Sequence, residues 1–335
     1  MTMTTYGSIS QRTAAWAAVE MLKHAEPIIV LGKFGETKPI PKNKADNAKF
    51  RRPVPFNQLN GTLATVPLIE GVTPASRRMQ YEDVSVTLKQ YGDIIEITDK
   101  VADLAEDPVL ADASRLAGEQ AAETLEFLLW GVLRAGTNVA YANGTARTDV
   151  NTVIAVADLR SAVRSLRNQR AKPITMMLAG SPNYATKPIE GGFIAFAHTD
   201  CENDIRELTG FTPVAAYGSR KPLCPEELGS VENIRFILSP ILVPFEDAGG
   251  AKGSMKSTTG TSADVYPVII VGQGAFGQTP LKGSGAIDPR VISPDTPDKS
   301  DPLGQRGYVS WKTWWAAVIL NELWMVRIEV AVTAL

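Results

Sequence analysis

Only two cysteines, Cys201 and Cys224, occur among the 335 residues. Two thiols make neither a disulfide framework nor a tetrahedral zinc site, and they fit folding in a reducing cytoplasm. Histidine is as scarce, with His24 and His198 alone, so metal and triad chemistry have little to draw on. An excess of charge is also missing: 34 Lys and Arg face 36 Asp and Glu, a net of -2. Such a chain has no strong global pull toward nucleic acid or an anionic membrane. No apolar run reaches the ~20 residues that span a bilayer. The N-terminus lacks the basic-then-apolar order of a secretory signal. Neither Gly-x-Ser-x-Gly nor a Cys/His nucleophile signature is present. No catalytic, cofactor-binding or metal residue is therefore assigned, and no enzyme activity is expected.

What is present is a globular composition, 44% hydrophobic and 21% charged, long enough for more than one subdomain. Its organising stretch is Asp107 to Gly136. Leu110, Ala113, Ala117, Ala121, Leu125, Leu128 and Val132 recur at the helix period, which predicts one long amphipathic helix. Asp107 and Pro108 supply a start signal and Gly136 a stop. Asp112, Arg115, Glu119, Glu123 and Glu126 are placed on its wet face. At 1.5 Å per residue the helix is ~40 Å long, a spine for the rest of the chain.

Ahead of the spine, Ser10 to Leu22 reads as a short helix. Gly32 to Asn47, rich in lysine with Pro39 and Pro41, reads as an arm that must lie on something. Asp83 to Leu88 alternates as a strand, with Ile95 and Ile97 resuming after a bulge at Gly92. Lys49 to Phe56 is its expected partner, kept to an edge by Pro53 and Pro55. The tip between them, Asn57 to Arg78, is too long for an ordinary hairpin and is expected to rest on a neighbouring subunit.

Beyond the spine, Ala155 to Arg170 is a second helix with Leu159 and Leu166 inward. Arg160, Arg164, Arg167 and Arg170 form a basic stripe beside them, read as a solvated face with local ion pairs, or else a nucleic-acid contact. Ile174 to Leu178, Ile234 to Leu238 and Val265 to Val271 read as strands of an α+β subdomain. Asp247 to Asp264 and Asp288 to Asp301 read as surface connections. Trp314 to Leu320 reads as a strand buried on both faces, and Val326 to Val332 alternates with Arg327 and Glu329.

Three motifs tempt. Gly272, Gly274 and Gly277 match dinucleotide spacing, but the chemistry needs a helix to start there, and Pro280, Gly283 and Gly285 oppose one. Gly249 to Ser257 has phosphate-loop composition without the Gly-Lys-Ser/Thr order. His198, Asp200, Cys201, Glu202 and Asp204 form a metal-capable cluster, more simply read as Asp200 capping a helix near Glu202.

Several segments together resemble the major capsid protein family of tailed, short-tailed-type bacteriophages, with the Hong Kong 97-like fold. They are Tyr6-Gly7, Arg12 to Ala15, Gly118 to Thr124, Ala135 to Val139, Glu202 to Arg206, Ser257 to Pro267, Asp301 to Gly307 and Ser310 to Thr313. The resemblance implies an α+β chain in ordered parts: an N-terminal arm (1–47), an extended β-hairpin loop (48–98) and a peripheral domain (99–152) with spine helix 108–136. An axial domain (153–304) and returning C-terminal strands (305–335) complete it. It further implies a structural subunit forming hexamers and pentamers of an icosahedral head around weakly, non-specifically held double-stranded DNA. Implied partners are a portal protein and a separate scaffolding protein, with a decoration protein left open and no membrane. Assembly in the bacterial cytoplasm and residence in the virion follow. The lysine cross-link of the fold's type phage is not expected, since the tip from Asn57 to Arg78 has no lysine. An encapsulin-like compartment and a nucleotide-dependent enzyme using Gly272 to Gly277 stand as alternatives.

Overall fold

The computed structural model describes residues 29–43, 45–56, 67–100, 108–178, 186–218, 220–282, 287–292 and 301–335, with positions 19, 21, 65 and 294 besides. The predicted helix over 10–22, positions 19 and 21 apart, and the Asp107 cap lie outside them. In chain order come β1 (Glu36–Thr37), β2 (Ile40–Pro41), β3 (Asn47–Pro53), β4 (Tyr81–Thr87) and β5 (Lys89–Thr98). Helix α1 (Val109–Arg134) follows, then β6 (Val139–Tyr141), α2 (Val156–Asn168), β7 (Ile174–Leu178), β8 (Thr186–Ala197) and α3 (Glu202–Arg206). The remainder is strand: β9 (Phe211–Pro213), β10 (Glu227–Val231), β11 (Ile234–Leu238), β12 (Tyr266–Val271), β13 (Phe276–Lys282), β14 (Asp288–Ile292), β15 (Arg306–Ile319) and β16 (Met325–Val330).

Two sheets carry the architecture. One runs β1-β13-β15-β14, with β2 also on β13 and β5 on β15; the other runs β6-β16-β12-β8-β11-β10-β9, with β7 on β8. A separate two-stranded ribbon joins β3 to β4, from Asn47 opposite Thr87 to Pro53 opposite Tyr81. The predicted hairpin partners are thus paired. Gly92 is not a bulge, because β5 holds an unbroken register with β15 from Lys89↔Trp315 to Thr98↔Arg306. Its missing side chain instead admits the Trp311 carbonyl, 2.6 Å from where a Cβ would stand.

Helix α1 is 26 residues long, or ~39 Å, and lies across β15 and β5. Ala113, Ala117, Ala121 and Leu125 are buried as the period requires. So are Ala122, Glu126, Leu129 and Trp130, because Met21 and the turn at Leu31 cover a second side of the helix. Gly118 marks the crossing: a Cβ there would collide with the Met21 carbonyl. Although alanine favours helix over glycine, Gly118→Ala is expected to destabilise the subunit by about 1–3 kcal/mol. Thermal unfolding that shows a gain would place the arm off the spine.

The reading of Trp314 to Leu320 as buried on both faces needs correction. β15 alternates: Trp311 and Trp315 are buried, while Trp314 is 37% exposed. The reading of 288–301 as connection also misses β14, whose Asp288-Pro289 start carries a turn signature although Arg290–Ile292 pair with β15.

Candidate assembly surface

The ribbon is fixed at its foot and bare along its length. Ala48 and Phe50 on β3 pack with Ile40, Leu88 and Ala316, so the alternation of β3 anchors one face to β2 and β15. Cross-strand charge pairs stiffen both faces: on the open one Arg51 donates to both oxygens of Asp83 at 2.7 and 2.9 Å, and on the anchored one Arg52 reaches Glu82. Arg51 also lies over the Tyr81 ring and Arg52 over that of Trp324. Past this foot, Phe56, Leu68, Ile69, Val72 and Met79 are more than half exposed. Burying such side chains is worth about 1.5–3 kcal/mol each, and isolated ribbons are marginal. A second bare apolar region is a groove of about 600 Å³ between α1 and the end of β15, lined by Phe127, Val132, Val318 and Ile319. Phe127 and Leu116 are about half exposed on the outer side of α1. Exposed apolar continuity of this kind marks interaction surface.

The tempting motifs resolve otherwise. Gly272 to Gly277 turns from β12 directly into β13, with Gly274 at φ 73. A strand follows where the dinucleotide site needs a helix N-terminus, so that alternative is overturned on geometry. The loop over 247–264 is tied by its own acids: Asp264 Oδ1 accepts from the Asp247 and Thr258 amides at 2.8 and 3.1 Å. Asp247 Oδ1 accepts from the Thr259 amide at 3.1 Å. These two carboxylates are spent within the loop.

Of the metal-capable cluster only His198 and Asp200 stay together, with Nδ1 3.3 Å from Oδ2. His198, not Asp200, is the cap of a 3-10 turn over Thr199–Cys201, its Nδ1 accepting from the Asp200 amide at 3.0 Å. Asp200 Oδ2 accepts from Lys256 Nζ at 2.6 Å and Tyr266 OH at 2.7 Å. Glu202 pairs with Arg206, and Asp204 receives the amide and hydroxyl of Thr333 at 3.0 and 2.8 Å. Burial pushes the Cys201 thiol up and holds His198 below the usual histidine range. Among the described residues no group of three metal-ligating side chains converges. No helix among them is long and apolar enough to cross a membrane.

Two polar clusters were not legible in the sequence. Glu126 is 2% exposed, and its Oε1 accepts the Val30 and Leu31 amides at 2.5 and 3.0 Å. Those are otherwise free donors at the start of the 3-10 turn Leu31–Phe34. Glu329, fully buried on β16, takes a two-pronged contact from Arg147 at 2.7 Å on each oxygen. Arg327 Nε lies 3.0 Å from the same carboxylate, off the hydrogen-bonding direction, and its Nη1 donates to the Arg134 carbonyl at the end of α1. The guanidinium carbons of Arg134 and Arg147 stand 3.7 and 3.4 Å from the Phe245 ring centre. Both clusters join the spine to distant parts of the chain.

With this geometry in view, comparison with known proteins is specific. Residues 81–328 match a family described as phage capsid protein. A major capsid protein of Pseudomonas phage KPP21 is 22% identical over 261 residues, 72% of this chain; the match spans 66% of that protein's length. Among solved structures, the capsid of Ralstonia phage GP4 is similar with a TM-score of 0.64 at 13% identity, covering 89% of this chain and 87% of that one. The cyanophage Pam1 capsid gives 0.61 at 13% identity over 93% and 92%. The head of Helicobacter pylori bacteriophage KHP40 gives 0.60 at 12% over 99% and 95%. At such identity the shared shape speaks for the fold, and the family match for kinship. The chain belongs to the phage capsid protein family and is built on the Hong Kong 97-like fold of tailed-phage major capsid proteins.

Proposed function

We propose that this subunit assembles into hexamers and pentamers that close an icosahedral head around double-stranded DNA. The observation that carries the reading is the ribbon β3–β4, clamped at its foot yet baring Leu68, Ile69, Val72 and Met79. A lone subunit gains nothing from that surface; a neighbour with the groove beside α1 does. We assign residues 1–47 to the arm, 48–98 to the extended loop, 99–152 to the peripheral domain, 153–304 to the axial domain and 305–335 to the returning strands. The subunit is a structural element without a catalytic task. A portal protein, a separate scaffolding protein and a decoration protein are the remaining partners this role admits, with synthesis in the host cytoplasm before entry into the virion.

Deleting residues 57–78 tests the reading. The truncated subunit is expected to stay soluble and folded, because β3 and β4 keep their pairing and foot contacts. It is expected to form no closed shells by electron microscopy. Normal shells from the deletion overturn the role assigned to the ribbon.

A further inference from the structure

Among the described residues arginine is usually paired, Arg77 and Arg78 of the ribbon tip apart. Arg51, Arg206 and Arg220 each place a nitrogen 2.7 Å from a carboxylate oxygen. Helix α2 departs from that habit. Arg160 is held by Glu232, at 2.8 Å from Nε and 2.7 Å from Nη2. Arg164, Arg167 and Arg170 are exposed, and no acidic side chain among the described residues is within ion-pair reach of them. Like charges three residues apart on a helix repel. The helix dipole accounts for Arg167, which lies in the last turn; Arg164, a turn earlier, has no such reason. At Arg164 the repulsion therefore costs the fold something with no ion pair to offset it.

The geometry of these arginines fits a phosphate chain. Positions 164 and 167 stand on one side of α2, ~5 Å apart along its axis, and Arg170 follows two residues past the helix end. A depression of about 320 Å³ beside the helix adds the side chains of Asn168 and Asn233, and its one carboxylate, Glu232, is held by Arg160. With one phosphate per ~3.4 Å of axis on each DNA strand, the two helical arginines face about two phosphates, with Arg170 placed for one more. We propose that Arg164, Arg167 and Arg170 form a contact line for the phosphodiester backbone of double-stranded DNA, without base readout. The proposal rests on DNA being the enclosed cargo. Three contacts per subunit are few, so a single subunit holds DNA weakly and the duplex can slide, while many copies on a shell wall add up.

The test uses the full-length unassembled subunit and a labelled duplex of random sequence, followed by anisotropy from about 20 to about 200 mM salt. The wild type is expected to bind at the low end and to lose binding at the high end. The double variant Arg164→Gln/Arg167→Gln is expected to flatten the salt slope by about two units. Arg206→Gln/Arg290→Gln removes the same charge from paired, exposed sites and is expected to keep the wild-type slope. Equal flattening in both variants, no binding by the wild type at low salt, or equal competition by polyglutamate would each overturn the contact line. Particles free of nucleic acid would refute the cargo reading instead, and DNA-filled particles with an unchanged slope would refute the contact line alone.

Discussion

Replacing Glu329 with Ala is expected to lower the stability of the unassembled subunit by about 3–5 kcal/mol, read by urea denaturation. Glu329 is fully buried and is the carboxylate that Arg147 and Arg327 share. Without it, two guanidinium groups, with Arg134 beside them over Phe245, face one another, that of Arg327 buried and without a carboxylate partner. Burial and the neighbouring arginines already hold Arg134 and Arg327 below the usual arginine range, whereas the bond to Glu329 raises Arg147. Adding Arg147→Ala to Glu329→Ala removes part of the repulsion and is expected to recover part of the loss. A loss below about 1 kcal/mol would mean the pair behaves as an exposed one and the junction is open to solvent. Since Arg327 also donates to the last turn of α1, the variant is expected to fray the end of the spine as well.

The second large effect lies at the other crossing. Glu126→Ala leaves the Val30 and Leu31 amides without an acceptor in a buried place and is expected to cost about 2–5 kcal/mol. Glu126→Gln keeps one acceptor oxygen and is expected to cost less, but to change the pH response. Burial lifts the Glu126 carboxyl to about 7, against the partial pull of the Val30 and Leu31 amides and of Lys33. A folded-state value above the unfolded 4.5 means that the folded chain binds the extra proton between these two values. Stability from this group is therefore fully present below pH 4.5, declines as pH rises, and is lost above about 7. The window is worth on the order of 3 kcal/mol. Wild-type and Glu126→Gln subunits compared at pH 5 and pH 8 are expected to differ in slope, with the variant flatter. Parallel slopes would show that the carboxyl is ionised throughout and that the arm contact is wet.

Both residues show where local pattern stops. A period of 3.6 tells which side of α1 carries apolar residues, and it did locate Ala113 through Leu125 correctly. It also set Glu126 on the wet side, because the apolar period within residues 107–136 does not announce that a chain segment 95 residues earlier will cover that side. Gly118 was the available signal, since a glycine inside a good helix asks for a close neighbour. The alternation of β16 likewise separates Val326, Ile328 and Val330 from Arg327 and Glu329, yet all are buried. A sheet strand has two faces, and the sequence cannot say whether the second meets water or a helix end.

What the sequence determined by itself is therefore the local part. The spine, α2, the β3–β4 pairing, β7, β11, β12 and the unfitness of Gly272 to Gly277 for a dinucleotide follow from period, turn residues and chain length. Kinship to phage capsid proteins was carried by short matching segments spread along the chain, and the family match and shared fold bear it out. Tertiary structure decided everything that depends on a partner far away in sequence. It set the β5–β15 register, the partial dispersal of the His198 cluster, the clamps at Glu126 and Glu329, and which arginines of α2 keep their charge unpaired. The physical reason is the reach of each interaction: backbone periodicity is written within a few residues, whereas desolvation and charge pairing depend on whichever segment the whole fold brings within a few ångströms.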